Sequence, residues 1–399
     1  MDKVKLYKSS KEPEIYYYFN AKGEKLWMYR HKFYDEAGKR QEKKKSSFKT
    51  EKAAVKALLE VKAATLRGET KHIVNESMTI GEWLDTWLEM NQKKWKLSTS
   101  EYRKMIVDNH LKKLLGHYRL QKLDRATYQR AFINVLEDKL QPYTLKQIHG
   151  LFKIAINAAV EEEILARNRF TKVVIKDEDD TKTSNKFLTP VELNKLLSTA
   201  KETEDISHYS FLLVAAYTGM RRGEALGLQW KNIDFKNHTI TIERTRDKFG
   251  ARTPKTKNSY RTILVDSIVI EQLKKYKTWY KKVCLQYGIK YSSDLFIFIN
   301  SYGEPVHDQT FYMMLKRVQL VAKLVDEDGS PKISLHGLRH THATILLNNG
   351  QNVKVIAERL GNTPNMVMNT YGHVMKELEQ ESVTVFSESL ATGAKSGAN

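Results

Sequence analysis

One stretch constrains this chain more than any other. It runs from Ser334 to His373, opening S-L-H-G-L-R-H-T-H-A-T-I-L-L-N-N-G and closing V-K-V-I-A-E-R-L-G-N-T-P-N-M-V-M-N-T-Y-G-H. Leu335, Leu338, Ile345 and Leu346 recur near helical spacing, which puts His336 and Arg339 one turn apart on one helix face. Gly350 and Gly361 are natural stops for two successive helices, and Pro364 can open a third that carries Tyr371. An arginine, a histidine and a returning tyrosine suit attack on a phosphodiester. The guanidinium holds a phosphate oxygen, the imidazole moves a proton or donates to an oxygen, and the phenol is the nucleophile.

Charge points to the same partner. Lys and Arg number 67 against 47 Asp and Glu, a formal +20 over 399 residues, which favours a polyanion and nucleic acid first. The single cysteine, Cys284, excludes an intramolecular disulfide and a cysteine zinc site, as expected of a reducing cytoplasm. No apolar run approaches the roughly 18 residues of a spanning helix, so no membrane partner is expected and the location is cytoplasmic.

Residues 1–75 hold 19 basic against 10 acidic residues. Three β-rich segments, Ile15 to Phe19, Lys25 to Tyr34 and one near Lys43 to Phe48, are separated by turn signals at Asn20 to Gly23 and Asp35 to Gly38. A helix from about Glu51 to Leu66, ended at Gly68, backs this three-stranded sheet. Alternation places Trp27, Tyr29, His31 and Phe33 on one face and Arg30 and Lys32 on the other, the face free to enter a major groove. Residues 76–172 read as all helix, with Trp83, Leu84, Trp87 and Leu88 as a core stripe. The acidic, polar stretch 173–186 reads as a linker. Thr189 and Glu192 with Pro190 form a capping-box signal that opens a third domain, 187–385, and residues 386–399 end in a small, polar tail.

In that third domain an apolar helix, Phe211 to Tyr217, breaks at Thr218-Gly219 and restarts as Met220-Arg221-Arg222-Gly223-Glu224. At least one arginine there lies at an interior edge and needs a partner, which Glu224 can be. A β-hairpin, Thr239 to Arg246 and Tyr260 to Val265, carries Lys248, Arg252, Lys255, Lys257 and Arg261 near its tip, as a loop that meets phosphate would.

In order, T-G-M-R-R-G-E (218–224), P-K-T-K-N-S-Y-R (254–261), H-G-L-R-H-T-H (336–342), L-G (360–361) and T-Y (370–371) resemble the boxes of the tyrosine recombinases of the phage-integrase type. The likeness is close over about 185–385. The helical part resembles the family's core-type DNA-binding domain, and the N-terminal sheet resembles the arm-site-binding domain of integrases from temperate phages and conjugative transposons of Gram-positive bacteria. The resemblance implies a multidomain protein: a small β-sheet-plus-helix domain, an all-helical core-binding domain and a mainly helical α+β catalytic domain. It also implies a site-specific recombinase that cuts and rejoins DNA through a covalent 3′-phosphotyrosine and a Holliday junction, integrating and excising a mobile element. Arg221 and Arg339 match the arginines that grip the scissile phosphate, and Lys255 the lysine that protonates the leaving 5′ oxygen. His336 matches the histidine that assists proton transfer, Tyr371 the nucleophile and Glu224 the supporting acid. Asn362 departs from the usual L-G-H; its amide is a donor but not an acid–base group. Lys257, Arg30 and Lys32 are further DNA-contact candidates. The implied partners are double-stranded DNA at core-type and arm-type sites, three more copies in a synaptic tetramer, and a small excision factor.

Two guanidinium forks match two non-bridging oxygens in a way lysines do not. A phosphotyrosine preserves bond energy, so rejoining needs no ATP, in keeping with a sequence that has neither a phosphate-binding G-x-x-x-x-G-K-[ST] loop nor a carboxylate cluster suited to Mg²⁺. No cofactor and no metal are expected. His336 and His340 stand at the i, i+4 spacing of H-E-x-x-H, but Gly337 replaces the glutamate. A non-catalytic DNA-binding regulator would give Arg221, Lys255, Arg339 and Tyr371 no reason to coexist. A type IB topoisomerase would share the chemistry but not the three-part layout. With Lys255 as the acid, Lys255→Ala is expected to be slow on natural DNA and restored on a substrate with bridging sulfur at the scissile 5′ position, whose leaving group needs no proton. Cleavage rates on the two substrates make the comparison. An equal deficit on both would move the role to Lys257.

Overall fold

The alternating pattern at the N-terminus builds a sheet with one side committed to a helix. The computed structural model describes residues 5–34, 38–68, 71, 73, 75–176, 187–253 and 257–371. Strands β1 (Tyr7–Lys8), β2 (Ile15–Phe19), β3 (Lys25–Tyr34) and β4 (Arg40–Phe48) form one antiparallel sheet in that order. The sheet therefore has four strands, not the expected three. At two residues β1 is too short to show alternation; it is held by the Tyr7↔Tyr17 pair, whose rings stack 5.1 Å apart. Helix α1 (Glu51–Leu66), capped by the Thr50 hydroxyl, lays Ala54 and Leu58 against Ile15 and Tyr29. On the opposite face Arg30 forks onto Glu42 of β4, with Nε–Oε1 2.9 Å and Nη2–Oε2 3.0 Å, while Lys32 is exposed.

The helical segment has its own core. Helix α2 (Ile80–Asn91) starts in a Thr79–Glu82 capping box and buries Trp83, Leu84 and Trp87, as the stripe requires. Helices α3 (97–115) and α4 (125–137) each contain one π turn, at Val107–Leu111 and Gln129–Ile133. They pack with α5 (Pro142–Glu161) around Tyr128, Phe132 and Phe152. Tyr128 stacks on Phe152 at 4.8 Å, and its hydroxyl meets His149 Nδ1 at 3.0 Å. The sheet and these helices together form one compact unit, 1–182, and the rest of the chain forms a second, 183–399. The boundary falls within the stretch read as a linker. Residues 177–186 lie outside the described residues, as does everything after Tyr371, including the tail.

In the second unit α6 (Pro190–Thr203) begins at the predicted Thr189–Glu192 capping box. Helix α7 (Ile206–Thr218) is buried on nearly every side, with Phe211 stacked 3.6 Å from Phe311. A short α8 (Arg222–Leu226) follows. Strands β5 (Ile233–Asp234), β6 (Thr239–Ile242) and β9 (Arg261–Leu264) make a small sheet, and β7 (Thr245–Asp247) and β8 (Gly250–Arg252) form a separate ribbon inserted between β6 and β9. The predicted hairpin is present, but its ladder spans only Thr239↔Leu264 to Ile242↔Arg261 before the chain leaves for the ribbon. Helices α9 (Ser267–Gln286), α10 (Asp308–Val321), α11 (Leu335–Asn348), α12 (Val353–Leu360) and α13 (364–371) complete the unit. Among the described residues no helix is long and apolar enough to cross a membrane.

Trp83 ties α2 to α5: its Nε1 donates to the Ala155 carbonyl at 2.8 Å in a fully buried position. Trp83→Phe removes that hydrogen bond while the carbonyl keeps its partner within the helix, and is expected to cost about 1 kcal/mol, read from chemical denaturation of the full chain.

Candidate active site

Two helices that end in left-handed glycines bracket the site. Gly219 closes α7 at φ +61°, and Gly361 closes α12 at φ +66°. A Cβ on Gly219 would lie 2.8 Å from His342 and Leu360 side-chain atoms, and one on Gly361 2.7 Å from Arg261 Nη1. Only glycine meets both the backbone conformation and the space. The turn after Gly219 delivers Arg221 as the N-cap of α8, where Arg222 turns outward to Asp308, 3.2 Å away.

Glu224, buried at 3% exposure, is the hub. Its Oε1 accepts from Arg221 Nη1 at 2.8 Å, and its Oε2 accepts from the Arg221 backbone N–H and from Arg261 Nη2, both at 2.9 Å. Burial pushes this carboxyl up, but the hydrogen bond and charge of Arg261, then the Arg221 amide and charge, outweigh it and hold the carboxyl below its ordinary value. Arg261 also donates to the Arg359 carbonyl at 2.7 Å, so one carboxylate fastens α8 and β9 to α12. Arg221 Nη2 reaches Asn362 Oδ1 at 2.7 Å. Asn362 thus turns its oxygen to the arginine, which leaves its NH₂ as the donor.

Arg339 is 3% exposed. Its Nη1 donates to the Gly219 carbonyl at 3.0 Å, while Nη2 is buried with no hydrogen-bond partner among the described residues. Burial, then the charge of Arg221, lowers its pKa to about 10. His336 shares with Arg221, Gly223 and Tyr312 a cleft of about 410 Å³. Its ring has an exposed edge, yet the protein around it, followed by His340, Arg339 and Arg221, pushes it down to about 4. It is therefore neutral at pH 7.

Tyr371, on α13, is brought into the same cluster, and its hydroxyl meets an imidazole at 2.8 Å. That imidazole is His340, through Nδ1, and not His336, the histidine expected to help the phenol lose its proton. The His336 ring instead lies edge to face against His340, with centroids 4.7 Å apart. Burial raises Tyr371 to about 12, against the opposing pull of Arg339. The position of His340 was visible in the sequence only as half of an apparent metal pair, because nothing local says where Tyr371 arrives. His342 is structural: Nδ1–H donates to the Ala216 carbonyl at 3.0 Å and Nε2 accepts from Arg359 at 3.0 Å, and burial with the Arg359 charge lowers it to about 4.

Among the described residues, three of the cations near the hairpin tip engage groups of the protein itself. Arg261 points inward to Glu224 because its strand lies beside α8 and α12. Arg252 pairs with Asp247, and Lys248 lies over the Phe249 ring. Lys255 is outside the described residues. Lys257 opens a single 3₁₀ turn, Lys257–Ser259.

Residues 186–377, which hold every member of this cluster, match the Phage integrase family. The chain belongs to the phage integrase family of tyrosine recombinases. The integrase also matches the Arm DNA-binding domain over 15–65, the sheet and α1, and the phage integrase N-terminal SAM-like domain over 79–136. It is 28% identical over 284 residues to the ICEBs1 integrase of Bacillus subtilis, covering 70% of this chain and 74% of that one. It is 29% identical over 331 residues to the integrase of Staphylococcus phage L54a, covering 77% and 92%. The Tn1549 transposon integrase, solved in complex with a circular intermediate DNA, shares the fold at a TM-score of 0.62 and 22% identity, over 76% of this chain and 99% of that one. A lambda integrase dimer bound to a core site does so at 0.58 and 18%, over 91% and 93%.

Glu224→Gln removes the charge between Arg221 and Arg261 and is expected to destabilise the second unit by on the order of 3–5 kcal/mol at pH 7. The carboxyl is depressed in the fold, so its contribution is present above the unfolded value and lost as pH falls through the lower folded value. The gap between wild type and Glu224→Gln should therefore close in acid, as measured by denaturation at stepped pH.

Proposed function

We propose that Tyr371 attacks the scissile phosphate while Arg221 and Arg339 hold its two non-bridging oxygens. The observation that carries this reading is Arg339 Nη2. A buried guanidinium donor with no partner is costly, and a phosphate oxygen in the cleft beside Arg221 would satisfy it. His336, neutral, and the Asn362 amide then donate further hydrogen bonds to the same phosphate. Preorganised donors of this kind stabilise charge that grows in the pentacoordinate state. The bond from phosphorus to the 5′ oxygen breaks as the phosphotyrosine forms, and Lys255 gives the departing oxygen its proton. A 5′ hydroxyl from the partner duplex then reverses the step and releases the tyrosine. Bond energy is conserved, so two exchanges through a four-way junction integrate or excise the element without ATP.

Double-stranded DNA is the substrate. The core-type site is read by the helical segment and the catalytic unit, and the arm-type site by the sheet face that carries Lys32 and the Arg30–Glu42 pair. Arg30 is already forked onto a carboxylate, so on that face Lys32 is the freer phosphate contact. Four copies form the synapse, with a small excision factor setting direction, and the reaction takes place with the cytoplasmic chromosome. Tyr371→Phe keeps the ring and loses one hydroxyl. It is expected to abolish covalent attachment on a nicked core-site duplex while site binding persists, with Tyr312→Phe, in the same cleft, as the active control. An adduct formed by Tyr371→Phe would overturn the nucleophile assignment.

A further inference from the structure

Tyr371 loses a proton when its oxygen attacks phosphorus, and Lys255 serves only the oxygen that leaves. We propose that His340 is the general base that takes the Tyr371 proton and returns it on rejoining. This rests on Tyr371 being the nucleophile.

Geometry selects His340 over the other histidines. Its Nδ1 stands 2.8 Å from the phenol oxygen, within proton-transfer reach. His342 has both ring nitrogens engaged, with the Ala216 carbonyl and Arg359. His336 borders the Arg221 cleft and meets His340 edge to face.

The surroundings set the charge state. His336 and Arg339 flank His340 on α11, Tyr371 faces it from α13, and Lys316 of α10 and Lys332 of the preceding loop lie across a cavity. Arg221 and Glu224 of α8 stand behind Arg339. Burial first, then Arg339, keeps His340 below the ordinary imidazole value, so it is neutral and ready to accept. With Nδ1 accepting, the ring proton is on Nε2.

The cavity makes the protonated state tolerable. It measures about 450 Å³ and is lined by His340 and His336 together with Tyr312, Lys316, Lys332 and Ser334. An imidazolium sealed beside Arg339 would be strongly disfavoured, but one that borders solvent is hydrated.

The step balances. The Nδ1 lone pair takes the phenol proton as the bond from Tyr371 oxygen to phosphorus forms. The phosphorus–5′ oxygen bond breaks, and its electron pair takes a proton from the Lys255 ammonium. On rejoining, the incoming 5′ hydroxyl gives its proton to the Lys255 amine, and the tyrosine oxygen leaves with the proton held on His340.

The test is single-turnover covalent trapping by the full chain on a nicked duplex bearing its core-type site. In His340→Asn the side-chain oxygen still accepts from the phenol but has no useful basicity; His340→Ala loses both functions. Both variants are expected to form adduct at least about a hundredfold slower, with site binding unchanged. Added imidazole is expected to restore His340→Ala by about tenfold or more. The wild-type rate should fall in acid below the ordinary imidazole range, and that limb should be absent in His340→Asn. If His340→Asn cleaves within about threefold of wild type while His340→Ala is slow, His340 only positions the tyrosine and the proposal is overturned. If both variants match or exceed wild type, it is overturned outright. Should His340→Asn fail to bind the site, the wild-type profile decides, and a flat acid side overturns the proposal. An adduct from Tyr371→Phe, run in parallel, would instead sink the nucleophile reading.

Discussion

The second unit depends on one buried carboxylate. Glu224 stands between two guanidiniums, Arg221 from the turn after α7 and Arg261 from β9, and Arg261 passes the connection to the end of α12. Three elements far apart in the chain are thereby referred to one point. A buried charge is retained at such a place only when it is paired and hydrogen-bonded. Both oxygens of Glu224 are engaged, and the arrangement leaves Arg221 with one edge fixed and the other facing Asn362 and the cleft.

Arg339 shows the opposite condition. It is buried as deeply as Glu224, yet the charge that acts on it most is the like charge of Arg221, and one of its nitrogens has no partner among the described residues. Two cations in one cluster, one of them with an unmet donor, are poorly placed for the free protein and well placed for a phosphate. The neighbouring histidines are pushed toward neutrality by burial first, with the charge of Arg339 adding to it in both. The cluster therefore keeps its positive charge on guanidiniums, which cannot give it up, and its proton-transfer capacity on imidazoles, which can.

The amino-terminal unit follows a different logic. Its sheet closes one face on α1 with Ala54 and Leu58, small and medium side chains that let the helix approach Tyr29. The other face keeps its charges at the surface, partly cancelled by the Arg30–Glu42 fork. The helical segment beside it holds together through aromatic stacking and one buried tryptophan hydrogen bond.

Much of this was written in local pattern. Alternation placed Tyr29 and Phe33 inward and Arg30 and Lys32 outward, because the period of a strand is a property of the backbone alone. The bounds of α1, the capping box at Thr189, and the stops at Gly350 and Gly361 followed from hydrogen-bond needs at helix ends, which nearby residues satisfy. The ordered boxes singled out Arg221, Glu224, Arg339 and Tyr371. What only the tertiary structure decided is who meets whom. Strand β1 exists because Tyr7 finds Tyr17, not because two residues show a period. Arg261 looked like a phosphate contact and is instead a pillar for Glu224. His340 looked like half of a metal pair and is the imidazole against Tyr371. The last two pairings join residues 37 and 31 positions apart through turns and helix packing, and no local spacing rule extends over that distance.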